Sequence, residues 1–113
     1  MVYGFKWPPA VGGSFLVECY VYHPSGLDVQ WLKRNTSRGS PTVVARANSE
    51  RCHDPNNPRY SWSSCNLPSN SQKMYNLQID NAKLSDAGYW ICKDTGLNDE
   101  GKELEVNILG EIR

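Results

Sequence analysis

The sequence has no apolar run approaching the roughly 20 residues a helix needs to cross a bilayer, and no stretch of ten or more residues keeps a 3.6-residue apolar period. It has no excess of either charge, with twelve Lys and Arg against twelve Asp and Glu. Nucleic acids and anionic membranes reward a basic excess through counterion release, so contact with either is not expected. There is no CxxC pair, which weakens zinc-ribbon and thioredoxin-like readings. There is no Gly-x-Ser-x-Gly elbow to present a nucleophile. Histidines are few: His23 and His53 both fall in turn-rich stretches. Cys52-His53-Asp54 contains metal-capable types, but adjacent side chains rarely point at one ion. Asn98-Asp99-Glu100 brings carboxylates together where a hairpin turn is needed, and turn chemistry accounts for it. No catalytic constellation and no cofactor site are therefore expected. The opening MVYGFKWPPAVGG does not show the charged-then-apolar pattern of a secretory leader.

What is present points to one small β domain. A chain of 113 residues, 39% hydrophobic, suits a single domain over residues 1–113 with one core. Turn-forming clusters recur at short intervals, among them Pro8-Pro9, Pro24-Ser25-Gly26, Arg38-Gly39-Ser40-Pro41, Asp54-Pro55-Asn56-Asn57-Pro58 and Pro68-Ser69-Asn70-Ser71. The segments between them are rich in β-branched and aromatic residues and predict an all-β sandwich or barrel. Alternation assigns the faces. Phe15, Val17, Cys19 and Val21 share one side of their strand, as do Val29 with Trp31 and Trp90 with Cys92. Tyr75, Leu77 and Ile79 alternate with Asn76, Gln78 and Asp80, and Leu104, Val106 and Ile108 with Glu103, Glu105 and Asn107. Four cysteines, Cys19, Cys52, Cys65 and Cys92, allow three pairings and favour an oxidising, extracellular setting. The triplet Asn35-Thr36-Ser37 makes Asn35 a candidate N-glycosylation acceptor.

Cys19, Trp31 and Cys92 follow one another twelve and then sixty-one residues apart, each inward by alternation. Together with Gly13-Ser14-Phe15-Leu16-Val17-Glu18-Cys19, Tyr75-Asn76-Leu77-Gln78-Ile79, Asp86-Ala87-Gly88-Tyr89-Trp90-Ile91-Cys92 and Gly101-Lys102-Glu103-Leu104-Glu105-Val106, this order resembles an immunoglobulin V-set domain over essentially the whole chain. The resemblance implies a variable-type β-sandwich of two antiparallel sheets and about nine strands, since the Trp31-to-Cys92 span has room for strands C′ and C″. It implies a Cys19–Cys92 bridge between the sheets, which leaves Cys52 to pair with Cys65 and staple the C″ region to strand D. It matches Arg59 and Asp86 to the ion pair that closes the lower end of such sandwiches. Leu84 is expected to fill the core beneath that corner.

Two departures qualify the likeness. The usual tyrosine two residues before the second cysteine is Trp90, and packing is expected to replace the corner hydrogen bond. The stretch before strand G reads Asn98-Asp99-Glu100-Gly101 and keeps only the last glycine of a Phe-Gly-x-Gly bulge. An innate-type receptor is therefore expected, rather than an antibody or T-cell-receptor chain.

If Trp31, Trp90 and Cys92 face inward, then Gln30, Leu32 and Arg34 face outward on strand C, with Tyr89, Ile91 and Lys93 on strand F and Glu103 and Glu105 on strand G. Leu32, Tyr89 and Ile91 form a small apolar centre ringed by charge, the anatomy of an interface. The implied function is extracellular recognition of a protein partner through the C–F–G face, in an immune-type receptor or secreted molecule. The alternative is an adhesion or assembly domain that pairs with a second V-type domain, including its own copy, through the same sheet.

Overall fold

The computed structural model describes residues 2–3, 9–22, 28–48, 51–65, 72–96 and 101–110. Its strands are β1 (Val2–Tyr3), β2 (Phe15–Tyr22), β3 (Asp28–Arg34), β4 (Thr42–Asn48), β5 (Cys52–His53), β6 (Tyr60–Cys65), β7 (Gln72–Ile79), β8 (Gly88–Asp94) and β9 (Lys102–Val106). They form two antiparallel sheets, ordered β1-β2-β7-β6 and β5-β4-β3-β8-β9. This is the nine-stranded variable-type arrangement, with β3, β8 and β9 in the places of strands C, F and G. A short 3₁₀ turn, Leu84–Asp86, leads into β8. A parallel bridge between Ala10 and Leu109 ties the N-terminal segment to the chain beyond β9.

The alternation read from the sequence is the register of the core. Val17, Leu77, Ile79, Trp31 and Trp90 are inaccessible, and Phe15, Cys19, Val29, Tyr75, Cys92 and Val106 pack with them between the sheets. Trp31 lies opposite Cys92 in the β3–β8 ladder. Cys92 is bonded to Cys19 in the other sheet, with Cα atoms 6.3 Å apart. The Trp31 indole N–H donates to the Tyr75 carbonyl at 2.9 Å, so a buried donor is satisfied across the sandwich. Truncating a side chain such as Leu77 to alanine in packing of this kind costs about 2–5 kcal/mol.

Two positions carry side chains that alternation alone misplaces. Asn76 belongs to the polar set of its strand yet is buried, and its side-chain carbonyl accepts the Cys19 backbone N–H at 3.1 Å. It thereby satisfies a donor that would otherwise be stranded inside the sheet. In β4 the register to β3 shifts between Trp31 and Leu32, so that Trp31 pairs with Ala45 and Leu32 with Val43. The extra residue, Val44, turns inward against the core, and Val43 is left exposed on the outer surface.

At the short edge, Cys52 of β5 and Cys65 of β6 are bonded, with Cα atoms 6.4 Å apart. The Trp62 indole N–H donates to the His53 carbonyl at 2.8 Å and adds a second tie between the sheets there.

Candidate functional site

The site is built on the outer face of the five-stranded sheet, and its foundation is the corner below it. Asp86 is 1% exposed, and a buried carboxylate is tolerated only when its oxygens are filled. Arg59 clamps it with two N–H donors, at 2.6 Å to Oδ2 and 2.9 Å to Oδ1. The Lys83 amide donates to Oδ2 at 2.7 Å and the Tyr60 hydroxyl to Oδ1 at 2.9 Å. Burial by itself would raise the Asp86 pKa. The hydrogen bonds from Arg59, Lys83 and Tyr60, with the Arg59 charge, outweigh burial and hold it below the ordinary carboxylate value. Tyr60 is pushed up to about 12, first by burial and then by donating to the Asp86 carboxylate.

The corner corrects two expectations. Trp90 does not merely pack: its indole N–H donates to the Asp86 backbone carbonyl at 3.0 Å, so tryptophan makes the hydrogen bond that a tyrosine hydroxyl makes in the usual corner. Its ring meets Tyr60 and Phe15 edge-on, at centroid distances of 5.6 and 6.2 Å. Leu84 does not fill the core. It is 61% exposed because the 3₁₀ turn swings it outward, and the buried place nearby belongs to Ala82.

Gly88 starts β8 with φ +139°, and a Cβ there would sit 2.5 Å from the Arg34 carbonyl oxygen. Only glycine lets β8 approach the end of β3 so closely. Gly101 does the same before β9: with φ +89°, its Cβ would fall 2.6 Å from the Cys92 carbonyl oxygen and 3.0 Å from Ile91 Cγ2.

Three rows of cross-strand partners then cover the face. Arg46, Gln30 and Lys93 form the upper row, Val43, Leu32, Ile91 and Glu103 the middle row, and Arg34, Tyr89 and Glu105 the lower row. All eight residues expected on the binding face thus share one surface, but they are not equally available. Ile91, expected as an open contact, is 8% exposed and lies outside the core between the sheets, so it is the floor of the face. Neighbours on its own side cover it, among them the β9 approach at Gly101. Arg34 is committed within the chain: it pairs with Glu103, and its guanidinium lies over the Tyr89 ring, 5.8 Å from the centroid. Gln30 and Arg46 both donate to Asp28 Oδ2, at 2.8 and 3.2 Å. Among the described residues, Lys93 and Glu105 take part in no ion pair.

Sequence reasoning missed Val43, Arg46 and Lys33. The first two face outward through β4, and the bulge at Val44 hid them by breaking the alternation. Lys33 is buried on the inward side, with Nζ 5.9 Å from the Trp90 ring centroid and donating to Asn35 Oδ1 at 2.7 Å. Burial lowers its pKa, and the Asp86 charge opposes the shift only in part. A lysine in an inward register was the available signal. His23, Asn98, Asp99 and Glu100, weighed as chemistry-bearing types, lie outside the described residues. Among the described residues, no group of three or more His, Cys, Asp or Glu gathers as a metal site.

The described geometry offers a sheet face with an apolar middle and a mixed-charge rim, which suits contact with another surface. A search of curated proteins found no match to the chain. The immunoglobulin V-set domain family matches residues 9–109, and domains of this family are typically non-enzymatic binding domains, extracellular where they carry disulfides. With that match joined to the nine-stranded sandwich, the bridged tryptophan core and the clamped corner, the chain belongs to the immunoglobulin V-set family.

Proposed function

We propose that this chain is an extracellular recognition domain of an innate-type immune receptor or secreted immune molecule, and that it binds a protein partner through the outer face of β4, β3, β8 and β9. The observation that supports this reading most is the middle row. Val43 is 43% exposed beside Leu32, and the surrounding side chains are Arg34, Arg46, Lys93, Glu103 and Glu105. An apolar centre within a charged rim is where buried contact area is gained while partners are discriminated.

The second reading, homophilic adhesion or assembly, draws on the same rim. Lys93 at the top and Glu105 at the bottom of one face are opposite in sign, and a two-fold axis through the centre would set each near the other's copy. Sedimentation of the domain across a wide concentration range separates the two. A mass that doubles with concentration, and that Val43→Arg returns to monomer, supports the homophilic reading. A constant monomer sinks it, and the multivalent domain should then bind a cell-surface protein in a manner abolished by Val43→Arg and kept by Leu84→Ser. Binding that survives Val43→Arg moves the site off this face.

A further inference from the structure

The exposed Leu84 and the Asn35-Thr36-Ser37 triplet belong to one place. Asn35, Leu84, Gly88, Tyr89, Glu105 and Asn107 line an open depression of about 430 Å³ at the lower end of the sheet. Asn35 reaches it because residue 88 has no side chain: a Cβ on Gly88 would stand 3.3 Å from the Asn35 Cα. The Asn35 amide is also held in one orientation. Lys33 Nζ donates to its Oδ1 at 2.7 Å. That lysine is buried and lies over Trp90, so the oxygen end stays engaged. Asn35 Nδ2 is left without a protein partner among the described residues, and Asn35 itself is exposed.

We propose that Asn35 carries an N-linked glycan whose first N-acetylhexosamine covers Leu84 and Tyr89. The donor is a polyprenyl-diphosphate-linked oligosaccharide. The Asn35 Nδ2–C1 bond forms and Nδ2 gives up one proton to the transferase. The bond from C1 to the diphosphate oxygen breaks, and polyprenyl diphosphate leaves with the electron pair. Ser37 supplies the hydroxyl that the acceptor triplet requires two residues on.

The lining suits this occupant. A pyranose has an apolar C–H face, which meets the Leu84 side chain and the Tyr89 ring. Its hydroxyl rim meets Glu105 and Asn107. An exposed leucine beside an aromatic ring gains by losing contact with water. A covering group that grows from the rim of the depression reaches it with no second protein.

The test is secretion of the 113-residue chain from a eukaryotic cell, with its intact mass read before and after peptide N-glycosidase. One glycan is expected, with enzymatic release converting Asn35 to Asp. Ser37→Ala, which keeps the Asn35–Lys33 hydrogen bond, should appear at the bare sequence mass with unchanged near-ultraviolet aromatic signals. In the glycosylated protein, nuclear Overhauser contacts should link the N-acetyl methyl group to Leu84 and Tyr89. An apolar dye should bind Ser37→Ala more strongly, and Ser37→Ala/Leu84→Ser should bring it back down. A folded, secreted protein at its bare mass overturns the site. A glycan on Asn35 with neither the contacts nor a dye difference overturns the covering. The glycan would border the partner face at Tyr89 and Glu105 in its lower row, and Val43→Arg tests the middle row of that face separately.

Discussion

Asp86 accepts four hydrogen bonds on two side-chain oxygens and a fifth on its carbonyl, from Trp90. That single residue joins β6, the 3₁₀ turn and β8, because Tyr60, Lys83 and Trp90 all end on it. The Trp90 contact is the one that distinguishes this corner. Tryptophan offers only one donor, and here it lies at hydrogen-bond length from a buried carbonyl. Trp90→Phe should lose about 1–3 kcal/mol, for the hydrogen bond and the smaller ring together. Leu84→Ser, six residues earlier, should change stability by under about 0.5 kcal/mol, because its side chain leaves water little on folding. Urea titration of both variants checks the contrast, and a large loss at Leu84 would return it to the core. Both residues show where residue-level reading stops. Trp90 was legible as inward from its spacing to Cys92, but its partner was not, since a donor's reach depends on the turn's path. Leu84 was apolar and near a corner, and only its place in the 3₁₀ turn leaves it exposed.

At the scale of elements, strict two-residue alternation made β2, β3, β7 and β9 legible. Apart from Asn76 in β7, the inward residues of each recur at every second position, so the period of side-chain burial is the period of the backbone. β4 was not legible, because its bulge makes Val44 and Ala45 consecutive inward residues. β5 is two residues long and carries no pattern at all. It is held instead by ladder bonds to β4, by the Cys52–Cys65 bond and by the Trp62–His53 hydrogen bond. A bridge that closes a thirteen-residue separation contributes about 3 kcal/mol through the unfolded chain, against about 4 for the seventy-three-residue separation of Cys19 and Cys92. Replacing Cys52 and Cys65 by alanine should therefore leave a folded domain in which the amides of β5 exchange faster than those of β3 and β8. Hydrogen exchange followed strand by strand reads this directly. Equal acceleration across both sheets would show that the second bridge supports the whole core.

At the scale of the molecule, the corner also sets how stability depends on pH. Asp86 has a folded pKa below its ordinary value of 3.8, so its contribution is fully present above about pH 4 and is lost as pH falls through the depressed value. Tyr60 has a folded pKa raised from 10.0 to about 12, so its contribution is present below pH 10 and is lost as pH rises from 10 toward 12. Urea midpoints measured across this range should fall at both ends. Relative to the parent chain, Asp86→Asn should flatten the acid limb and Tyr60→Phe the alkaline limb. Unchanged limbs in these variants would assign the pH dependence to other groups.

The sequence alone carried the all-β class, most of the inward residues and three of the four strands of the outer face, β3, β8 and β9, because burial on one side of a pleated strand leaves its mark on every second residue. The family resemblance matched Arg59 with Asp86, and the Asn35-Thr36-Ser37 triplet marked the acceptor. The tertiary structure decided which outward residues are available. Ile91 became a floor because Gly101 brings β9 close against it, and Arg34 was taken by Glu103 and Tyr89 across three strands. It also placed Val43 at the centre of the face and Asn35 beside Leu84. Those neighbours are far apart in sequence, and they meet only where bulge, turn and register bring different strands to the same height in the sheet.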